Sequence, residues 1–345
     1  MRYYILIVFF LLTGCIDEVS LTNPQSEPKL VIDAWLSNSE DYSYVKVFYS
    51  VPFQSGDFNV SSNLAEVDFV TLQGLTENSN YYLAYDSAKH SFLLNDDFQF
   101  NSSETYRYYI RLSNGDEISS KWKKAAGKPI IEGYEIDFTT KNLFRPSGNG
   151  QFTNFDQIFL QVDLQINNSL SDIPYIYSKS SGIEEVFTVS INEFCTCTCY
   201  NPVSDITGKL NILKNSPNNN LFSVAEITMG RLARHYVHFD VIGLNETDGD
   251  YLAQIYKQQT MSGTIFDPMP FKINGEWESF SESGEDILGN FIIANHSSYS
   301  FVIDRNEIFS ENPLLDYYFE EFPDVRESCT DYYPEASLEM PAVFH

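Results

Sequence analysis

Four cysteines carry the densest chemistry in the chain. Cys195, Cys197 and Cys199 alternate in a Cys-x-Cys-x-Cys run, and Cys329 lies far downstream. Thiolates can bridge, exchange disulfides or hold Zn or Cu(I). The run lacks the Cys-x-x-Cys knuckle of thiolate zinc sites, so no metal is expected there. In one extended strand, alternate cysteines share a face about 7 Å apart. That is marginal for a bridge, so bonding within the trio would need a turn. The preferred reading is one long-range bridge from the trio to Cys329, with the choice among the three open. Closing a loop that long is worth about 4–5 kcal/mol in the chain-entropy model.

The other chemical groups are scattered. His235 and His238 fall on opposite faces of a strand, whereas His238 and Asp240 share one; His90, His296 and His345 stand alone. No G-x-S-x-G elbow, H-E-x-x-H pair, P-loop or G-x-G-x-x-G turn occurs. Asp248-Gly249-Asp250 hints at calcium without the acid that would complete the loop. With 48 Asp+Glu against 21 Lys+Arg, any two carboxylates could imitate a glycosidase pair, so such pairs carry no weight. No catalytic residue and no cofactor is expected. Tyr175, Tyr177, Tyr332 and Tyr333, read as loop residues, could form an aromatic ligand platform or serve ordinary β packing. The net charge of −27 repels phosphate backbones, which excludes nucleic acid as a partner.

The first fourteen residues read as an address. Arg2 precedes the apolar run Tyr3–Leu12, too short to span a bilayer. Leu12-Thr13-Gly14-Cys15 resembles the lipobox of bacterial lipoproteins, which makes Cys15 the lipidated residue and its acyl chains the link to the bilayer. Ile16-Asp17-Glu18 resembles a surface-export signal of one Gram-negative group. The acid stands one place later than in an inner-membrane retention signal. The expectation is therefore the outer membrane, facing the cell exterior, an oxidising setting for the remaining cysteines. Residues 15–28 read as a polar tether.

Beyond it, the pattern predicts an all-β chain. About seven short strands between Leu30 and Trp122 suggest an immunoglobulin-like sandwich over residues 29–126. They include Thr105–Leu112, an Asn114-Gly115 two-residue hairpin and Ile118–Trp122. Lys121, Lys123, Lys124 and Lys128 read as a solvated hinge. Residues 130–345 form a larger β-rich domain. Its expected strands are Ile136–Thr140, Ile158–Ile166, Phe187–Ile191, Tyr236–Ile242, Ile287–Asn295 and Tyr299–Asp304. Residues 142–156 read as a Gly/Asn/Ser-rich loop. Thr247–Gln259 is the one helix, capped by Thr247 with Asp250, and the chain ends in an acidic tail.

Four stretches resemble the domain of unknown function 4249 family of outer-membrane lipoproteins. They are Leu30–Leu36 (LVIDAWL), Lys257-Gln258-Gln259 with Gly263–Pro270, Ile287–Phe291 (ILGNF), and Cys329–Tyr332 with Pro341–His345. Tyr332 stands where the family often has a second tail cysteine, and His345 where it ends in Trp. The resemblance implies an accessory or substrate-binding partner of a TonB-dependent β-barrel transporter. An extracellular glycan or peptide hydrolase and a structural or assembly factor of the outer membrane are the alternatives.

Overall fold

A computed structural model describes residues 28–344 except 51–62, 147–151, 168–172, 205–210, 216–219, 260–272, 274, 281–285, 314, 316–318 and 320. The leader, Cys15, the tether up to residue 27, Gly263–Pro270 and His345 lie outside the described residues. The described strands, in order, are β1 (Leu30–Ser37), β2 (Tyr44–Tyr49), β3 (Val67–Gly74), β4 (Ser79–Tyr82), β5 (Ala84–Asp86), β6 (Ser91–Leu93), β7 (Thr105–Leu112), β8 (Glu117–Ser120) and β9 (Lys123–Lys124). They continue as β10 (Ile131–Pro146), β11 (Phe152–Ile166), β12 (Tyr175–Phe187), β13 (Thr198–Ser204), β14 (Asn211–Lys214), β15 (Leu221–Thr228), β16 (Arg234–Leu244), β17 (Trp277–Ser279) and β18 (Phe291–Asp304). Helix α1 (Glu246–Gln259) follows β16, and α2 (Arg305–Glu311) follows β18.

The fold is all-β, and the described residues form three sheets. A nine-stranded sheet runs β13-β12-β16-β18-β1-β2-β6-β5, with β14 also on β12. A six-stranded sheet runs β17-β8-β7-β3-β4, with β9 on β7, and a three-stranded sheet runs β10-β11-β15. Alternation decides what each face buries. On one face of the large sheet, Ile32, Ala34, Leu36, Phe291 and Ile293 pack with Val70, Leu72, Tyr108 and Ile110 of the six-stranded sheet. Farther along that face, Val237, Phe239, Val241 and Ile303 pack against Leu160, Val162 and Leu164 of the three-stranded sheet. The opposite face holds Trp35, Ile242, Leu244 and Ile292, half-covered by Leu252, Tyr251 and Ile255 of α1.

The two sequence regions are woven together. β1 lies parallel to β18, with Ala34 opposite Phe291, and antiparallel to β2. β17 extends β8. Hydrogen bonding therefore runs straight across residues 126–130, where the sequence reading divides the domains. A parallel partner more than 250 residues away leaves no local trace.

Several elements differ from expectation. Residues 142–146 and 152–156 are not loop. They extend an antiparallel hairpin in which Asn142 faces Asp156 and Phe144 faces Asn154. Alternation continues through the polar composition that suggested a loop. The turn at Asn114-Gly115 holds three residues, because Gly115 N donates to Leu112 O and Leu112 N to Asp116 O. Only Gly115 takes positive φ, +94°, as a bulged three-residue turn requires. The cap of α1 is Asn245, whose Oδ1 accepts from Asp248 N at 2.8 Å while its Nδ2 donates to Asp248 Oδ2 at 2.9 Å. Ile287–Asn295 and Tyr299–Asp304 fall largely within the single strand β18. The acidic tail opens with a second helix, α2, capped by Asp304.

Candidate functional site

The sharp turn after Val189 decides the cysteine chemistry. Cys195 N donates to Asn192 O, and Asn192 Oδ1 accepts from Phe194 N. The turn brings the Cα atoms of Cys195 and Cys197 to 5.3 Å, and the two are bonded. Cys199, on β13 beyond the turn, points inward and is bonded to Cys329 at a Cα separation of 6.2 Å. Two bridges form where the sequence reading had one, because the turn supplies the approach that a straight strand denies. Cys199 and Cys329 are fully buried beside Val186 and Tyr333. Cys195 and Cys197 are half-buried at the surface. Beside them Ile191 is 105% and Phe194 91% exposed.

The tail is laid along this region. Thr196 N donates to Glu327 O, Cys329 N to Thr196 O and Tyr200 N to Ser337 O. A one-turn helix at Cys329–Asp331 is held by a capping box between Ser328 and Asp331. Arg234 Nη1 reaches Phe344 O at 3.1 Å.

A polar cluster occupies the α1-side face of the nine-stranded sheet. Asp240 Oδ1 lies 2.7 Å from His296 Nε2 and 3.4 Å from His238 Nε2. Tyr42 donates its hydroxyl to Asp240 Oδ2 at 3.2 Å. His296 is thus not isolated: the β16–β18 register places Ile242 opposite His296 and brings Asp240 diagonally beside it. Asn38 clasps the His296 backbone through both its amide atoms. The rings of Trp35 and His296 flank Tyr42 at 5.8 and 5.6 Å. Burial disfavours the Asp240 charge, yet the His296 bond, both imidazoles and the Tyr42 hydroxyl together hold its carboxyl below the usual range. Burial, with the neighbouring Asp240, pushes the Tyr42 phenol up. On β1, burial raises the Asp33 carboxyl despite the Tyr44 hydroxyl donated to it.

This cluster can orient a ligand through hydrogen bonds and ring faces. Acyl transfer would need a hydroxyl or thiol on an imidazole, and the hydroxyl here bonds the carboxylate instead. Beside Asn38 opens a cavity of about 340 Å³ lined by Ser39, Glu40, Lys89, Asp96 and Phe98. Among the described residues no group of three His, Cys, Asp or Glu side chains is placed to hold a metal ion.

Other sequence candidates prove to be framework. Lys123 is not part of a solvated hinge. Its buried ammonium donates to Asp248 Oδ1 at 2.5 Å and Phe291 O at 2.6 Å, and pairs with Glu276 at 2.7 Å. Asp248 is fully buried, and Asp250 accepts the Tyr175 hydroxyl at 2.6 Å, so the Asp-Gly-Asp sequence locks α1 to the sheets. Gly249 is required there because a Cβ would enter the Tyr175 ring. Tyr175 and Tyr177 lie on β12 rather than in a loop. Tyr332 is exposed, and Tyr333 covers the buried disulfide. His235 is buried and distant in character from His238, facing Glu184 and Arg305.

Fold and site together define an all-β protein on one shared sheet, with a disulfide-pinned tail and a helix clamped by a buried ion pair. The chain belongs to the family described as Domain of unknown function (DUF4249), whose model matches residues 16–300. Three of the four resembling stretches fall inside the match, and the Cys329–His345 tail lies beyond it. No curated protein matches the chain. No described helix is long and apolar enough to cross a membrane.

Proposed function

We propose that the protein is a lipoprotein of the outer membrane, anchored through Cys15 and facing the cell exterior. It serves as a non-catalytic accessory or substrate-binding partner of a TonB-dependent transporter. The anchoring rests on Leu12–Cys15 and the acidic residues that follow. The observation that carries the binding role is the apolar tip at Ile191 and Phe194, 105% and 91% exposed. Both side chains stand on one turn, so a partner covering that turn would bury them together. The Cys195–Cys197 bond restrains the turn, which lowers the entropy lost when the tip docks. Aromatic side chains such as Phe194 are enriched in the buried centres of protein interfaces.

The test is a pull-down of the tagged lipoprotein from native outer membrane in gentle detergent, read by mass spectrometry. One β-barrel transporter should be recovered in near-equal amount. The Ile191→Ser/Phe194→Ser variant should lose it while remaining in the membrane fraction. Recovery of the lipoprotein alone would refute the transporter reading.

A further inference from the structure

β10 is the outermost strand of the three-stranded sheet, and among the described residues no strand pairs with its outer edge. An open edge of sixteen residues offers a row of unpaired backbone donors and acceptors. The hairpin is also unevenly supported. β15 pairs with Phe159–Gln165 of β11, which face Gly133–Thr139 of β10. From Thr140 outward only two strands remain, an arrangement that is marginal in water on its own. The outer half nevertheless exposes Phe144 at 70%, and the inner half exposes Phe138 and one side of Tyr134, whose ring stacks on Phe301 of β18, at 40% each.

We infer that β10 pairs antiparallel with β10 of a second copy of this chain, about a two-fold axis at Thr139. The side-chain pattern supports this occupant. Acids lie in the N-terminal half, at Glu132, Glu135 and Asp137, and Lys141 in the C-terminal half. Of these acids, antiparallel self-pairing sets Asp137 against Lys141 and leaves Glu135 opposite Leu143 and Glu132 opposite Pro146, whereas in-register parallel pairing sets like on like at all four positions. Centred on Thr139, Asp137 faces Lys141 of the second copy, twice by symmetry. Tyr134 faces Phe144, also twice, and aromatic and opposite-charge pairs across strands are the stabilising ones. Each two-stranded outer half then rests on the three-stranded inner half of the other copy, giving one six-stranded sheet across an isologous interface. Shifting the axis to Phe138 would put Phe144 against Glu132 and lose the aromatic pairs. Lys141 already pairs with Glu226, an exposed contact that contributes little and can be shared. Pairing of this edge does not depend on the transporter reading.

The experiment uses the full-length lipoprotein in detergent. Sedimentation should show a concentration-dependent dimer. Thr139→Cys should form a reducible cross-linked dimer, since residues opposite each other in an antiparallel pair lie within disulfide reach. Asp137→Lys and Lys141→Asp should each weaken the dimer about tenfold or more. Mixing the two variants should restore it, because each charge then meets its opposite. Asp137 and Lys141 are exposed and Thr139 half-buried, so the two charge variants leave the fold intact. A wild type that stays monomeric, or a mixture that recovers nothing, overturns the proposal. Cross-linking through Phe138→Cys in place of Thr139→Cys overturns the register.

Discussion

At the scale of single residues, burial turns ordinary ionisable groups into structural commitments. Lys123 sits at 8% and Asp248 at 0% side-chain exposure, and the pair ties β9 to α1. Removing one charge strands the other, so Lys123→Met should destabilise the fold by about 3–5 kcal/mol. Lys123→Met/Asp248→Leu should recover part of that loss. Urea midpoints of the two variants measure both effects. His235 makes a different commitment. Burial holds its imidazole neutral and depresses its pKa to about 4 from 6.5; Glu184 opposes the shift and Arg305 adds to it. The unfolded chain therefore takes up this proton first as pH falls. The contribution is complete above pH 6.5, declines toward pH 4 and levels off below. It amounts to roughly 3 kcal/mol, so His235→Leu should flatten the stability-against-pH curve in that window. An unchanged slope would show that other groups set it. Little of this is legible in the sequence: Lys123 reads as one of four surface lysines, and His296 meets Asp240 only through the register of β16 and β18.

At the scale of elements, the two bridges differ in what they restrain. Cys199–Cys329 closes a separation of 130 residues, and Cys195–Cys197 one of 2. In the chain-entropy model the first restrains the unfolded chain by about 4–5 kcal/mol and the second by less than about 2. Cys199→Ser/Cys329→Ser should lower the denaturation midpoint far more than Cys195→Ser/Cys197→Ser. It should also open the tail from Asp324 to limited proteolysis. Equal midpoints for the two double variants would contradict this account. Strands such as Thr105–Leu112 were legible because one face is apolar throughout. The outer part of the β10–β11 hairpin was not, since the apolar pair Leu143 with Phe155 stands there among pairs with polar members, such as Asn142 with Asp156 and Phe144 with Asn154. The inner turn of the cysteine trio was hidden for a related reason: it is made by the Asn192 side chain and the tail, not by Gly or Pro.

At the scale of the whole molecule, the question is whether residues 29–126 can stand alone, as their composition suggests. The structure gives β1 its parallel neighbour from β18 and β8 its outer neighbour from β17. The first core includes Trp277, Phe291 and Ile293 from the distant region. The Tyr108 hydroxyl donates to Trp35 O while its ring meets Phe291 edge-on at 4.9 Å, so one buried side chain binds both regions. Lys123, at the end of the first region, has Asp248, Glu276 and Phe291 O as partners, all from the second. A fragment ending at Ala126 would expose the β1 edge, lose part of its core and leave a cation without its acids. It should therefore remain unfolded, with poor amide dispersion by NMR, while the full chain unfolds in one cooperative transition with both regions melting together. Domains that fold independently give two transitions. A well-dispersed spectrum from the fragment would mean that the shared sheet is an interface between domains and not a common core.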